Sequence, residues 1–292
     1  MKLVMTLLVR NEEDIVGQNI EFHLNNSVDF FIVTDNLSED GTRDILEAYR
    51  RQGVLHYLHE PEDNYNQAVW VTRMSELGVT EFGADWVINN DADEFWWAEA
   101  KNDLKAVLRD VPASVLGLEV SRHNFVPRPG TDTVSFLETM IYRETVSLNG
   151  LGQPLPPKVC HRALPDLSVA QGNHAIRSGR RTLKLPATDE LCIFHFPMRT
   201  PAQFSKKIEK GGAAYTRSGL PRGLGSIWRM LYEAQKEGRL SDYMEERFYD
   251  DERLQQGLAT RTLIEDQRLL QFFKNNGLPI EPGEIPRAPA SD

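Results

Sequence analysis

The chain has 292 residues, 40% of them hydrophobic and 26% charged, which is typical of a globular protein large enough for one sizeable core. Its net charge of −10 argues against binding to a nucleic-acid backbone, and its two cysteines are too few for a disulfide scaffold. Reduced thiols of this kind are typical of the cytoplasm. No apolar run approaches the ~20 residues that a membrane-spanning helix needs.

Strand and helix patterns alternate four times in the first part of the chain. Apolar runs predict buried strands at residues 3–9, 30–33, 54–58 and 86–88. Apolar residues at helical spacing predict helices that begin near residues 10, 42 and 67. Such alternation is typical of a parallel sheet with right-handed crossovers, and the polar residues after the strands lie where such sheets bind ligands.

The pattern changes after a predicted helix at residues 101–109. Shorter strands are predicted at residues 115–120, 134–143, 158–163 and 192–196, separated by loops that contain proline and glycine. They predict a mixed or antiparallel sheet that extends the first one. Thr200, Pro201 and Gln203 form a typical helix start. The chain after them is predicted to be helical to about residue 276, with breaks at residues 211–212 and 219–225.

Asp91 and Asp93 directly follow the fourth predicted strand. In an extended chain, residues two apart point the same way, so both carboxylates can aim at one point. This arrangement suits Mg²⁺ or Mn²⁺, which bind to one or two carboxylates together with substrate phosphates. The alternative is a solvated acidic turn. Glycine-rich phosphate loops and a serine-hydrolase elbow are absent from the sequence, so a bound diphosphate would need a metal ion and scattered cations.

A second polar turn follows the second predicted strand. The spacing of residues 36–47 resembles a calcium-binding loop, but a strand precedes it where an EF-hand requires a helix. We therefore predict a strand-to-helix turn in which Gly41 adopts an unusual backbone angle and Ser38 or Asp40 caps the helix. Asp35 is then free to accept hydrogen bonds from a base or a ribose.

Three segments in this order resemble glycosyltransferase family 2: Leu8-Val-Arg-Asn-Glu-Glu13, Asp35-Asn-x-Ser-x-Asp-Gly-Thr42 and Asp91-x-Asp-Glu-Phe95. The similarity covers about residues 1–215 and points to a branch with an Asp-x-Asp-Glu-Phe signature, related to the family-92-like enzymes. It implies the GT-A fold, an open, mainly parallel α/β sheet flanked by helices. The resemblance implies a glycosyltransferase domain at 1–200, which the predicted helical region at 201–277 follows. The proline-rich tail at 278–292 is predicted to be disordered. Within the domain, residues 1–98 would bind the nucleotide and 99–200 the acceptor, on a mixed sheet.

The resemblance also implies an activity and the residues that perform it. The activity is metal-dependent, inverting transfer of a sugar from a nucleotide-diphosphate sugar to a glycan or lipid-linked acceptor, as in polysaccharide biosynthesis. The implied nucleotide-sugar-binding residues are Arg10, Glu12, Asp35, Asp91, Arg199 and Lys207. The implied ligands of Mn²⁺ or Mg²⁺ are Asp91, Asp93 and His195, with a core role as the alternative for His195. Trp96, Trp97 and His174 would contact the acceptor or support the site; packing in the core is the alternative for both tryptophans, and a loop position for His174.

The general base does not stand at an obvious position. Many family members carry adjacent acidic residues in the acceptor half, and here the nearest pair is Asp189-Glu190, with Glu119 and Glu144 as further candidates. Inverting transfer requires such a base within reach of the acceptor hydroxyl.

Two other classes of function stay open at this point. One is a sugar nucleotidyltransferase, and the other is a non-catalytic domain that only binds a glycan or a partner. We expect a cytoplasmic protein, with peripheral contact at the inner membrane face. That contact would involve an apolar and basic cluster, with ordinary packing on the sheet as the alternative: Arg222, Trp228, Arg229, Met230, Leu231 and Tyr232.

Overall fold

The computed structural model describes residues 1–100, 103–130 and 133–283. Its strands are β1 (Leu3–Val9), β2 (Phe30–Asp35), β3 (Leu55–His59), β4 (Trp86–Asp91), β5 (Glu94–Ala98), β6 (Gly117–Asn124), β7 (Tyr142–Glu144), β8 (Lys158–Arg162), β9 (Leu167–Val169), β10 (Ile176–Ser178), β11 (Arg181–Thr182), β12 (Ala187–His195) and β13 (Leu263–Glu265). Its α-helices are α1 (Val16–Asn25), α2 (Thr42–Arg51), α3 (Gln67–Thr80), α4 (Leu104–Asp110), α5 (Phe136–Thr139), α6 (Pro201–Arg217), α7 (Ser226–Lys236), α8 (Leu240–Glu245), α9 (Asp251–Ala259) and α10 (Arg268–Asn275).

Eight strands form one mixed sheet in the order β3-β2-β1-β4-β8-β6-β12-β5. The pairs β3–β2, β2–β1 and β1–β4 are parallel, as predicted for the first part of the chain. Strand β8 runs antiparallel to both β4 and β6, while β12 is parallel to β6 and antiparallel to β5. The predicted α/β class, with a mixed extension of a parallel sheet, is therefore confirmed.

Strand β1 lies at the centre of the parallel half because its apolar run serves both faces of the sheet. Leu3, Met5 and Leu7 pack into a core with side chains from α1 and α2. Val4, on the opposite face, packs with Val71 and other side chains of α3. A strand covered on both sides needs a continuous apolar sequence, which is the pattern that predicted it.

Two predicted elements differ from the structure near the start and the middle of the chain. Helix α1 begins at Val16 instead of residue 10, because residues 10–15 form a turn in which the Glu12 carbonyl accepts bonds from the amides of residues 15 and 16. The strand predicted at 134–143 is wrong. The helix α5 occupies its first half, since Phe136 and Leu137 turn into the core there, and only β7 is extended.

Glycine positions also differ from expectation. Gly41 has a φ of −68°, and the left-handed residue of its turn is Leu37, with a φ of 62°. Gly41 is instead at a close approach, because a Cβ there would lie 2.8 Å from Glu13 Oε2. The predicted break at residues 211–212 is absent, because α6 continues through them. The N-cap residue of α2 is Gly41, which has no side chain to cap the helix, and Asp40, before it, accepts a bond from the Thr42 amide.

The remaining predictions concern the termini of elements. Asp103 caps α4, and residues 101–102 of that predicted helix lie outside the described residues. Within the predicted tail, the Ile280 carbonyl accepts bonds from Gln18 and Ser135, so the first part of the tail is packed. Residues 284–292 lie outside the described residues. No helix in the described ranges combines the length and the apolar character that crossing a membrane requires.

Candidate functional site

A cavity of about 720 Å³ opens where β1 and β4 end, and α6 and α7 form its opposite wall. Its size is in the range of small-molecule sites in proteins. The ionisable groups around it from the sheet and the adjoining loops are Arg10, Glu12, Asp91, Asp93, Arg122, Glu144, Lys158, His174 and His195. Helix α6 adds Lys206, Lys207 and Lys210. The cavity therefore gathers about half of the predicted site residues.

Asp93 is the centre of the polar end of this cavity. The turn between β4 and β5 carries it, and its carbonyl accepts a bond from the Phe196 amide after β12. Its Oδ2 lies 2.5 Å from Lys207 Nζ and 3.9 Å from His195 Nε2. Burial by itself would raise the pKa of Asp93, but the charges of Lys207 and Arg199 outweigh it and hold that pKa well below its usual value. Asp93 is therefore ionised.

His195 is held in one tautomer by Asn124. The Asn124 amide nitrogen donates to Glu144 Oε2 at 3.0 Å and to the Leu148 carbonyl at 3.1 Å, which orients Oδ1 toward His195 Nδ1 at 2.8 Å. Because that oxygen can only accept, Nδ1 carries the proton and Nε2 has a free lone pair. Burial lowers the pKa of His195, so the ring is neutral. A bare nitrogen thus faces the Asp93 carboxylate.

Asp91 has three protein donors. The Lys158 ammonium contacts Oδ2, while Asn173 Nδ2 at 3.1 Å and Gln67 Nε2 at 3.3 Å donate to Oδ1. Lys158 also lies 3.3 Å from Glu94, whose pKa is raised to about 7 by burial in spite of this ammonium. Lys158 was not singled out from the sequence. The signal that could have found it is a lone lysine at the start of an apolar strand, 1% exposed in the structure.

Arg199 does not line the cavity. It is 3% exposed, and its guanidinium donates to Glu12 Oε2 at 2.6 Å and to both carboxylate oxygens of Asp14. Burial raises the pKa of Glu12 against the opposing charges of Lys207 and Arg199. Arg199 therefore ties the turn after β1 to the segment before α6, and the expectation that it faces a diphosphate is not met.

Arg10 and Asp35 lie at the carboxyl ends of β1 and β2, two neighbouring strands. Arg10 lines the cavity and forms an ion pair of 2.7 Å with Asp63. Asp35 is 1% exposed and does not line the cavity, because it accepts bonds from the Ser38 amide at 3.0 Å and the Tyr57 hydroxyl at 2.9 Å. The next residue, Asn36, does line it. Recognition of a nucleotide by Asp35 stays a prediction.

The two tryptophans after the acidic motif pack in the core, the alternative left open for them. They belong to β5, which pairs with β12, and both faces of that strand are covered. Trp96 is 0% exposed and donates from Nε1 to Asn90, while Trp97 stacks on Phe194 at 5.3 Å between centroids. Neither lines the cavity, so acceptor contact by these residues is not supported.

The predicted bases lie away from the cavity, and Glu144 lies on it. Asp189 and Glu190 are exposed on β12, and Glu119 of β6 pairs with Ala187 of the same strand. None of the three lines the cavity. Glu144, the further candidate, is the last residue of β7 and lines the cavity. Burial raises its pKa, although hydrogen bonds from Asn124 and from the loop after it oppose that shift.

His174 also lines the cavity in a fixed tautomer. Its Nδ1 donates to the Pro157 carbonyl at 2.7 Å, and burial lowers its pKa to about 3. Its Nε2 is therefore a bare acceptor as well. Among the described residues, no three His, Cys, Asp or Glu side chains converge in a metal-binding arrangement.

The apolar and basic cluster of α7 packs mainly against α6. A Cβ at Gly211 would lie 2.5 Å from the Trp228 ring, and one at Gly212 would lie 2.3 Å from the Tyr232 Cβ. Leu231 is buried between the helices, whereas Met230 is 40% exposed. This is the packing alternative for most of the cluster, and contact with a membrane stays a prediction.

Among known proteins, the chain is similar to solved structures only. No protein-family model and no curated protein matches the chain. Residues 1–349 of S. aureus TarS in complex with UDP share 14% identity over 84% of this chain and 71% of that chain, with a TM-score of 0.43. Glucosyl-3-phosphoglycerate synthase from Mycobacterium tuberculosis, in complex with Mn²⁺, UDP and phosphoglyceric acid, shares 16% identity over 75% of this chain and 79% of that chain, with a TM-score of 0.36. Scores this low do not assign a family.

Proposed function

We propose that this protein is a metal-dependent glycosyltransferase that transfers a sugar from a nucleoside-diphosphate sugar to an acceptor hydroxyl with inversion. The observation that carries the proposal is the convergence of Asp93, His195 and Lys207 at the polar end of one large cavity. A carboxylate and a bare imidazole nitrogen suit a metal ion, and an ammonium suits a diphosphate. The three segments that resemble family 2 contain the carboxyl ends of β1, β2 and β4, at the same edge of the sheet as this cavity.

Asp93 and His195 fit a divalent metal ion as two of its ligands. Asp93 is ionised and His195 is neutral, and the free lone pair of His195 Nε2 faces Asp93 Oδ2 at 3.9 Å, so both groups are in the forms that would bind a divalent cation. Mg²⁺ and Mn²⁺ sites of this kind are completed by substrate phosphates. When bound, the ion would act as a Lewis acid on the departing diphosphate. Asp91 could join only by exchanging one of its protein donors.

The chain's cations bind and orient the diphosphate in this proposal. Lys207 is anchored on α6 and reaches the cavity from the side opposite the sheet. Lys158 reaches it from β8, and the two ammonium groups pair with Asp91 and Asp93. The nucleoside would then lie toward Arg10 and Asn36, where the cavity meets the ends of β1 and β2.

Glu144 is the base in this proposal. Among the described residues, it is the carboxylate on the cavity wall without a cation within 4.0 Å, whereas Glu12, Asp91, Asp93 and Glu246 each have one. A raised pKa makes a carboxylate a stronger proton acceptor. Glu144 would take the proton of the acceptor hydroxyl while that oxygen bonds to the anomeric carbon and the bond from that carbon to the diphosphate breaks.

A non-catalytic binding domain is the second candidate function. The observation in its favour is that lysine side chains already neutralise both Asp91 and Asp93. A nucleotidyltransferase is less well supported, because the turn after β1 carries Glu12, Glu13 and Asp14 where a triphosphate would need cations.

The test is Mn²⁺ titration followed by electron paramagnetic resonance, with and without UDP or GDP, together with turnover of the corresponding nucleotide sugars. We expect the nucleotide to tighten Mn²⁺ binding to the wild type, and Asp93→Asn to lose that effect and the turnover. Asp189→Asn, at an exposed position outside the cavity, is the control. Equal Mn²⁺ binding by wild type and Asp93→Asn with nucleotide would refute the metal site. Binding without turnover would favour the non-catalytic domain, and pyrophosphate release the nucleotidyltransferase.

A further inference from the structure

The cavity continues from its polar end into a part that is lined by apolar side chains. We call this part the apolar chamber; it is formed by Met198, Phe204, Ile208, Ile227, Leu231 and Tyr243. These residues also belong to the small hydrophobic cluster that α6, α7 and α8 build apart from the sheet. The helical region thus leaves one side of its own core facing the cavity.

The loop at residues 145–157, between β7 and β8, forms the other wall of the chamber. At its base, the Asn124 amide groups donate to Ser147 Oγ at 2.8 Å and to the Leu148 carbonyl at 3.1 Å. At its tip, Gly150 touches the helices, since a Cβ there would lie 2.8 Å from Tyr243 Oη and 3.2 Å from Ile227 Cγ2. The same asparagine that orients His195 therefore ties this loop to the polar end.

Exposed apolar side chains lead from solvent into the chamber. Leu148 and Leu224 both line the cavity while 42% and 40% of their surface is exposed. Leu151 and Val146, on the same loop, are 49% and 71% exposed. Exposed apolar groups that cluster at a cavity mouth mark a binding surface more often than single exposed residues do.

None of the six side chains that define the chamber carries a charge. Arg247, which also lines the cavity, stacks on the Tyr243 ring at 3.5 Å and pairs with Glu246 at 3.4 Å. A polyanionic or fully hydroxylated acceptor would lose hydrogen bonds to water there without new partners. An apolar group would gain from the burial.

We infer that the acceptor of the proposed transfer is amphiphilic, with its hydroxyl at Glu144 and an alkyl or aryl group in the apolar chamber. The inference rests on the proposed function, because it takes the polar end as the site of transfer. The reason for this choice of acceptor is that the chamber, Glu144 and His195 line one continuous cavity. A molecule that fills the chamber therefore presents its other end to the base.

The test compares two probes that share one head group, octyl β-glucoside below its micelle concentration and methyl β-glucoside. We expect calorimetry on the full chain with UDP and Mn²⁺ to give at least tenfold tighter binding of the octyl compound, with a negative heat-capacity change. Leu148→Ser and Ile227→Ser should each reduce this ratio several-fold. Leu164→Ser, also an exposed leucine but outside the cavity, should leave it unchanged.

Equal binding of the two glucosides by the wild type would overturn the inference, as would the same ratio in Leu148→Ser and Leu164→Ser. Vesicles of phosphatidylcholine and phosphatidylglycerol separate a lipid surface from a single acceptor molecule. Sedimentation with vesicles that Leu148→Ser abolishes, without any preference between the glucosides, would assign the exposed leucines to a membrane and overturn the inference. Failure of the proposed function is seen separately, as the absence of metal-dependent UDP binding in the same samples.

Discussion

Lys207 places its ammonium 2.5 Å from Asp93 Oδ2, the carboxylate oxygen that faces the bare Nε2 of His195. A lysine thus holds the position in which a metal ion would meet its protein ligands. Burial opposes the charge of Lys207, but Asp93 and Glu12 outweigh it and raise the lysine pKa. The ammonium therefore stays protonated, and we expect it to compete with a metal cation for Asp93.

We predict that Lys207→Gln strengthens Mn²⁺ binding to the nucleotide-free protein by about tenfold, which corresponds to about 1.4 kcal/mol. The nucleotide should then tighten Mn²⁺ binding less than in the wild type, because its diphosphate has lost a cationic partner. Paramagnetic resonance titration measures both quantities. Lys206→Gln is the matched control, since Lys206 is exposed and next in the chain. Unchanged Mn²⁺ affinity in Lys207→Gln would show that the lysine does not compete.

Asn124 should act as a positioning residue for His195. Its replacement by alanine removes the acceptor that holds Nδ1–H and also one tether of the 145–157 loop. We expect Mn²⁺ affinity in the presence of nucleotide to fall about 10- to 100-fold, the usual cost of losing such a partner. Nitrogen-15 spectra should show the Nδ1–H tautomer of His195 in the wild type and a mixture in the variant. Asn25→Ala, at an exposed position on α1, should change neither.

Glu144→Gln should remove the acid limb of the pH profile. A base acts when it is deprotonated, and burial raises the pKa of Glu144, so the wild-type rate should rise with pH through a value above the ordinary 4.5. The variant should lose about 10²- to 10⁴-fold in kcat and lack that limb, with unchanged nucleotide affinity. Glu246→Gln, also on the cavity, is the control. A full acid limb in Glu144→Gln would show that Glu144 is not the base and would leave Glu119, Asp189 and Glu190 as the candidates.

The sequence predicts the parallel half of the fold well because a single pattern, the apolar run of a buried strand, is enough to locate its strands. A strand buried on both faces needs a largely apolar sequence; β1 is such a run, and β2 and β4 each begin with an apolar run before their polar ends. The position of Asp93 follows from β4, since the chain turns out of the sheet directly after it. His195 is likewise predictable as the last residue of an apolar strand, and both reach the cavity.

The partners of these groups could not be predicted in the same way. Lys158 meets Asp91 only because β8 inserts antiparallel between β4 and β6, an order that no local pattern encodes. Glu144 reaches the cavity because β7 pairs with β13, more than a hundred residues later. Trp96 and Trp97 carry aromatic rings of the kind that stack on sugars. Only the pairing of β5 with β12 shows that they are core residues.

Gly212→Ala should destabilise the protein although alanine is the better helix former by up to about 1 kcal/mol. The added Cβ would lie 2.3 Å from the Tyr232 Cβ and 3.0 Å from the Trp228 carbonyl, so α7 would have to move. We expect a loss of about 1–3 kcal/mol in the free energy of unfolding, measured with urea. Gly223→Ala should stay within about 0.5 kcal/mol of the wild type, because no atom lies within 4 Å of the new Cβ.

His23 should make the stability of the fold depend on pH. Its ring is fully buried, with Nδ1 donating to the Asn19 carbonyl at 2.7 Å and Nε2 accepting from the Trp96 amide at 3.0 Å. Burial lowers its pKa to about 3, whereas the unfolded chain takes up the proton near 6.5. The stabilising difference is therefore complete above pH 6.5 and decreases as the pH falls, by about 2 kcal/mol at pH 5.

Urea unfolding between pH 7.5 and pH 5 measures this loss in the wild type and in His23→Gln. The variant should be less stable at pH 7.5, because its side chain cannot reproduce both ring contacts, yet it should lose about 2 kcal/mol less over the range. His161, buried with a pKa of about 4, keeps part of the slope in both proteins. Parallel curves for the two proteins would mean that His23 takes up its proton in the folded state as easily as in the unfolded chain.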